Sequence, residues 1–267
     1  MLKQRIITAL CLVLLVMSCL FLQNPIYWQA LIVLVVLLGF YEWLKFCQID
    51  NLFVKALSYA GFALSLYAIN LGLLPMSFVI AGACGLWLVL LVFTFTDTLN
   101  FLHKAWFKLP IGILVLSAAA WLIIAFKELP NGVLWLLCFF FSVWAADVGA
   151  YFVGKKFGKT KLAPKVSPGK TVEGLLGGLA LVFVLFAPIL FIQFEAQAAV
   201  LLLLTVIVTA FVSVGGDLFE SKLKRFAGLK DSSQILPGHG GILDRIDSLL
   251  AGAPIFAAGL MLLGYLN

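Results

Sequence analysis

The stretch Pro75-Met-Ser-Phe-Val-Ile-Ala-Gly-Ala-Cys-Gly-Leu-Trp-Leu-Val-Leu-Leu-Val-Phe-Thr-Phe95 contains no charged side chain. A helix that crosses a bilayer needs about 20 mostly apolar residues, and this stretch supplies them. Outward from it, eight further stretches meet the same requirement, at roughly 6–22, 26–46, 53–71, 109–126, 133–152, 173–194, 198–217 and 247–265. The whole chain agrees. Of its 267 residues, 64% are apolar and 11% charged, whereas a soluble domain is nearer half apolar and about a quarter charged. A single soluble fold of this length could not hide so much apolar surface. Composition therefore excludes an ordinary soluble enzyme and a disordered chain. It predicts an all-α, polytopic integral membrane protein of about nine transmembrane helices.

Turn formers separate most of the spans: Gln23-Asn24-Pro25, Gly72 to Pro75, and Pro130-Asn131-Gly132. Such breaks suit tight helical hairpins. The basic, then apolar, N-terminus resembles a signal peptide, but no A-x-A-like cleavage site follows, so it reads as an uncleaved first helix. The five cysteines lie in or beside apolar stretches without C-x-x-C spacing, which suits packing better than a zinc site or a disulfide framework. Neither an internal repeat nor a soluble domain is evident. The chain reads as one membrane domain, 1–267. Within it, helices 1–5 occupy 1–130, and helices 6–9 occupy 131–267 with two long connections, 154–172 and 218–246.

Orientation follows from lysine and arginine. With an even number of spans before each long connection, 17 of the 18 basic residues fall on the side of the N-terminus, and only Lys127 falls opposite. Ten of the 12 acidic residues share that side, with Glu128 and Glu195 outside. This split places the N-terminus and both long loops in the cytoplasm of a plasma-membrane protein, the inner membrane in a bacterium. The net charge of +6 is then a one-sided field facing anionic lipid and small anions, with no call for nucleic acid.

The first long connection begins near Asp147, within the cytoplasmic third of the sixth span. A carboxylate there needs a partner or a wet cavity; the plainer reading is a snorkelling or lysine-paired acid. Glu173 opens the seventh span, where an acid suits the positive end of a helix in any case. Two Gly-Lys-Thr triplets, 158–160 and 169–171, invite a phosphate-loop reading that fails on spacing. The motif needs a glycine five residues earlier; Gly154 is four before Gly158, and Pro164 is five before Gly169. No strand is expected before either triplet. What survives is that lysines, free backbone N–H groups and the start of the seventh helix can bind phosphates. The alternative is a basic loop lying on anionic headgroups.

The second connection is richer. If the eighth helix continues past its apolar part, Asp217, Glu220, Ser221 and Lys224 share one face by their spacing. Pro237-Gly-His239-Gly240-Gly241 follows, and then Asp244 and Asp247 on one face of the ninth helix. Two acid pairs on helix ends flanking one loop could converge on a hard divalent cation. Mg²⁺ is typically held by one or two carboxylates plus substrate phosphates. Ion pairing with Lys224, Arg225 and Arg245 is the competing reading. The glycine-rich turn, entropically costly to order, tilts the balance toward a functional loop.

From Ser221 to Asp247 the chain carries Ser221, Leu223, Lys224-Arg225, Lys230-Asp231, Ser233, Leu236-Pro237, His239-Gly240-Gly241-Ile242 and Asp244-Arg245-Ile246-Asp247. This pattern resembles the signature of the CTP:phosphatidate cytidylyltransferases, or CDP-diacylglycerol synthases, without a departure over those positions. The stretches Asp147–Gly154 and Ser167–Gly178 are similar to the family as well. The resemblance implies transfer of CMP from CTP to phosphatidate, giving CDP-diacylglycerol and pyrophosphate at a cytoplasmic-face active site. The nucleophile is a phosphate oxygen already ionised at neutral pH. The task is therefore to bring anions together in line and to stabilise pyrophosphate departure, which calls for metal ions and cationic side chains.

For that reaction, Mg²⁺ is the expected cofactor, with a second cation also compatible. Asp217 and Asp244 are the expected metal ligands, with Asp147, Glu220 and Asp247 as further or supporting ones. Lys170, with Ser167 and Thr171, would hold a phosphate. Lys224, Arg225, Lys230 and Arg245 would share the triphosphate and the lipid headgroup, and Ser221, His239, Gly240 and Gly241 would complete the binding surface. Asp217, Asp244, Lys224 and Arg245 are thus the expected catalytic set. CTP, phosphatidate and the bilayer are the expected partners, and a homodimer is compatible. Two other classes stay open: a CTP-using kinase of a polyprenol or phytol, which would release CDP, and a transporter, which would carry its acids nearer the midplane.

Overall fold

The computed structural model describes residues 2–96 and 104–266; Asp97, counted above with the acids of the charged side, lies outside them. The helices are α1 (Leu2–Phe21), α2 (Pro25–Phe46), α3 (Leu52–Asn70), α4 (Met76–Phe95), α5 (Ala105–Glu128), α6 (Gly132–Phe157), α7 (Val172–Gln193), α8 (Ala196–Phe226) and α9 (Leu243–Leu262). Among the described residues, nine helices are long and apolar enough to cross a membrane. Turn chemistry sets several starts. Asn24 accepts from Ile26 N–H with Pro25 opening α2, and Asn51 accepts from Phe53 and Val54 N–H. Both are N-cap arrangements that satisfy otherwise orphaned donors.

Several boundaries differ from the hydropathy reading: α1 and α5 each begin four residues earlier, and three further differences lie at the polar connections. α6 runs on to Phe157, α8 to Phe226, and α9 begins at Leu243. Hydropathy marks where lipid ends, not where a helix must stop. Beyond Asp217, α8 still buries Leu218, Phe219 and Leu223, so tertiary packing keeps it helical. Its 31 residues span about 46 Å at 1.5 Å each, against a hydrocarbon core of about 30 Å. The polar end of α8 therefore projects toward the headgroups. The long connections shrink to 158–171 and 227–242.

The first of these is not strand-free. β1 (Lys161–Ala163) pairs antiparallel with β2 (Ser167–Thr171), which carries the second Gly-Lys-Thr triplet and leads straight into α7. Ala163 and Val166 pack on Leu218 of α8, and this small apolar contact docks the hairpin.

Helix ends sort into two layers. Lys127 donates to the carbonyls of Cys19 and Leu22 at 2.8 and 3.1 Å, and Gln29 donates to Glu128; these form one end of the bundle. At the other end, Lys108 donates to the Phe46 carbonyl, Lys222 to the Phe93, Thr94 and Thr96 carbonyls, and the α8–α9 connection bonds to Glu42 of α2. Around the sides, large apolar residues such as Leu57, Leu88 and Ile192 are exposed, as lipid-facing surfaces require. α6 and α7 touch closely through glycines: a Cβ at Gly149 would stand 2.8 Å from the Gly177 carbonyl oxygen, and one at Gly178 would stand 2.5 Å from that of Ala146. Small residues at helix contacts permit this approach in membranes.

Candidate active site

α8 positions the first group. Because it stays helical, Asp217, Glu220, Ser221 and Lys224 lie along one stripe, as their spacing predicts. Ser221 Oγ donates to Asp217 Oδ1 at 3.2 Å. Lys170, at the end of β2, reaches across to Asp217 Oδ2 at 2.7 Å, with the Val214 carbonyl at 3.4 Å. α9 is brought against this stripe at Gly216, where a Cβ would lie 2.7 Å from the Asp247 carbonyl oxygen. Asp247 shares the electrostatic neighbourhood of Asp217, Lys224 and Lys170, and Asp147 of α6 that of Lys170 and Asp217.

A cavity of about 400 Å³ opens beside this cluster, lined among others by Asp147, Tyr151, Ser167, Lys170, Thr171 and Val214. Four predicted residues, Asp147, Ser167, Lys170 and Thr171, thus share one space. Thr171 also caps α7, its Oγ1 accepting from Gly174 N–H at 3.1 Å. The first triplet takes a different role. Glu173 accepts from the N–H groups of Lys159 and Thr160 at 3.0 and 3.1 Å, so those donors are committed to the hairpin and not offered to a phosphate.

Lys224 bridges the two acid pairs. Its Nζ lies 2.6 Å from Asp244 Oδ1 and 3.2 Å from Glu220 Oε1. The other oxygen of Asp244 accepts from Ser232 N–H and Oγ, both at 2.9 Å, and from Gly241 N–H at 2.8 Å. Asp244 thus ties down the loop with Oδ2 and faces a cation with Oδ1. Glu220 is buried, and apart from its ion pair with Lys224 its carboxylate oxygens have no hydrogen-bond partner among the described residues.

Sequence reasoning missed Glu42. It is wholly buried and accepts from the Oγ atoms of Ser232 (2.9 Å) and Ser233, and from the N–H groups of Ile242 (3.0 Å) and Leu243 (2.7 Å). A negative group facing the start of α9 is favoured by the free N–H groups there. The available signal was a lone acid near the end of an otherwise apolar span. Gly241 must be small, since a Cβ there would collide with Ser232 Oγ and stand 2.5 Å from Glu42 Oε1. Gly238 and Gly240 adopt φ of +77° and +82°, the left-handed region that favours glycine.

Arg245 is not brought to the cluster. At 100° per residue, it points away from the face of α9 that carries Asp244 and Asp247. Its Nε and Nη2 donate to the His239 carbonyl at 3.1 and 2.7 Å. His239 Nδ1 is buried without a hydrogen-bond partner among the described residues. Arg225 is exposed and donates to the Leu229 carbonyl; Lys230 is exposed on the same loop.

The donor set suits a hard cation such as Mg²⁺ in kind: the acids offer only oxygen, and those of Glu220, beyond the ion pair with Lys224, have no hydrogen-bond partner among the described residues. Among the described residues, no three acids, histidines or cysteines converge tightly enough to hold an ion by themselves.

The profile of the cytidylyltransferase family matches residues 3–263. Two curated relatives are similar over nearly the whole chain. The phosphatidate cytidylyltransferase of Pseudomonas aeruginosa is 41% identical over 275 aligned residues, 99% of this chain and 99% of its own. That of Haemophilus influenzae is 36% identical over 288, covering 96% and 98%. The Staphylococcus haemolyticus enzyme of the same name is 47% identical over 128 residues, 47% of this chain and 48% of its own.

Proposed function

The chain belongs to the cytidylyltransferase family, and from that premise we propose that it is a membrane-embedded nucleotidyltransferase that moves CMP from CTP to phosphatidate, releasing pyrophosphate. The observation that carries this is the match along the whole length to relatives named for that activity. No relative reported above is named as a lipid kinase or a transporter.

The charged end of the bundle is the cytoplasmic end in this reading, supported by the concentration of lysine and arginine there. CTP then arrives from water, while phosphatidate keeps its acyl chains in lipid and presents its phosphate at the same level. The polar cavity beside Asp147 and Lys170 lies at that boundary. Lys170 and Lys224 offset the repulsion between the two anionic substrates and the charge that grows on departing pyrophosphate. Exposed Arg225 and Lys230 extend the basic surface for the triphosphate. Asp217 and Asp244 Oδ1 would hold Mg²⁺, with Asp147, Glu220 and Asp247 supporting them. When bound, the ion supplies Lewis-acid polarisation of the phosphate oxygens. Both amines, now paired with those carboxylates, would exchange that pairing for phosphate as substrates and metal arrive. No side chain is needed as a base, because the attacking oxygen is already ionised.

The test is direct. Purified protein with α-labelled CTP, phosphatidate and Mg²⁺ should yield a labelled, chloroform-soluble product and one pyrophosphate per turnover. Chelation should stop the reaction, and added Mg²⁺ should restore it. Release of CDP, or no lipid labelling across a range of divalent ions, would overturn the reading.

A further inference from the structure

The opposite face of α9 borders a second cavity, of about 240 Å³, enclosed by α1, α2, α5, α6 and α9. Its walls are apolar except at one end, where Arg245 stands beside Leu236. It is elongated along the helices: Trp28 and Val36 of α2 both line it, and those positions are about 12 Å apart along the helix axis. The roof is α1, which is hardly buried along its length. α1 is fastened at its two ends: Thr8 Oγ1 donates to the Pro237 carbonyl at 3.1 Å with Arg5 packed beside Gly238, and Lys127 donates to the Cys19 and Leu22 carbonyls at the other end.

Arg5 and Arg245 flank the same turn, 236–240, and neither lies within ion-pair distance of a carboxylate among the described residues. Arg245 at the end of an acyl-shaped apolar slot, with Arg5 beside the same turn, complements an anion carrying a hydrocarbon tail. A reacting phosphate is a poor candidate for that place. The catalytic carboxylates lie along the other face of α9, half a helix turn away.

We propose that this groove is a binding site for an anionic bilayer phospholipid distinct from the reacting phosphatidate, with one acyl chain between α1, α2 and α5 and its phosphate on Arg245 and Arg5. The site does not depend on the reaction assigned above. It gives Arg245 a ligand and gives the loosely packed α1 a reason to stay attached. It also sets a lipid against the His239 end of the turn that Asp244 holds from the other side.

Photo-cross-linking of the full chain tests it. The protein is placed in phosphatidylcholine nanodiscs doped with phosphatidylglycerol bearing a diazirine in one acyl chain. Cross-links should concentrate on the α1 segment 12–17 and the α2 segment 28–36. Unlabelled phosphatidylglycerol should compete about fivefold better than phosphatidylcholine for each arginine engaged. Arg245→Gln should lose that preference and Arg245→Lys should keep much of it. Ala120→Phe, filling the groove, should remove the cross-links; should that variant fail to fold, the Arg245 pair still decides. Cross-links spread over all lipid-facing helices, or a preference undiminished in Arg245→Gln, would overturn the proposal. So would selective displacement by phosphatidate, since the groove would then be the substrate's own.

Discussion

The two polar connections at the charged end are built on opposite plans. The α6–α7 connection folds on itself: β1 pairs with β2, Thr171 caps the next helix, and Glu173 accepts from the N–H groups of Lys159 and Thr160, all within a short stretch of chain. The α8–α9 connection has almost no regular structure and is clamped from outside. Glu42 reaches it across 190 residues of sequence, and Asp244 closes it from the far side through Ser232 and Gly241. A local fold shares its stability among many small contacts. A clamped loop depends on two buried carboxylates, each satisfying several donors that would otherwise be stranded. The first connection reaches the helix that leads into the second through Lys170, which pairs with Asp217 of α8.

The sharpest way to break the comparison is at that junction. Asp217→Asn should lower turnover by about 10²–10³, with membrane insertion and thermal unfolding unchanged; near-normal activity with Mg²⁺ would remove Asp217 from the site. Next comes the outer clamp. Glu42→Ala strands the buried N–H groups of Ile242 and Leu243 and the half-buried Ser233 hydroxyl and should cost about 3 kcal/mol or more, read as a lower unfolding temperature in detergent together with lost activity. Glu42→Gln should recover part of both. Gly241→Ala presses a methyl group on the Glu42 carboxylate and should cost about 1–3 kcal/mol. Removing the local clasp should matter least. Glu173→Gln should change activity within about fivefold and leave thermal unfolding in place. If Glu173→Gln proved as damaging as Glu42→Ala, the contrast between a self-folded and a clamped connection would collapse.

The site was partly legible before any coordinates. Spacing alone put Asp217, Glu220, Ser221 and Lys224 on one stripe, because a helix repeats its faces every three to four residues, and α8 does continue through them. The same rule also separates Arg245 from Asp244 and Asp247, yet its charge and its place in the motif grouped it with Lys224, Arg225 and Lys230 on the triphosphate and the lipid headgroup. The hairpin was not legible: it rests on Ala163 and Val166 meeting Leu218, a contact between segments that neither segment signals alone. Glu42 was invisible for the same reason. A solitary acid in an apolar span announces that it needs partners, and not that they lie near residues 232 and 242.

The number and rough position of the spans, and the gathering of charge on one side, were determined by the sequence alone. Burial in lipid is decided locally: each span must satisfy its own backbone hydrogen bonds and present apolar side chains to hydrocarbon, so composition within a window is enough. Which polar groups touch was decided by the tertiary structure. Close packing at Gly149, Gly178 and Gly216 sets the phase and separation of helices far apart in the chain. That phase determines which oxygen of Asp244 faces a cation, which carboxylate holds the loop, and which side of α9 faces the groove.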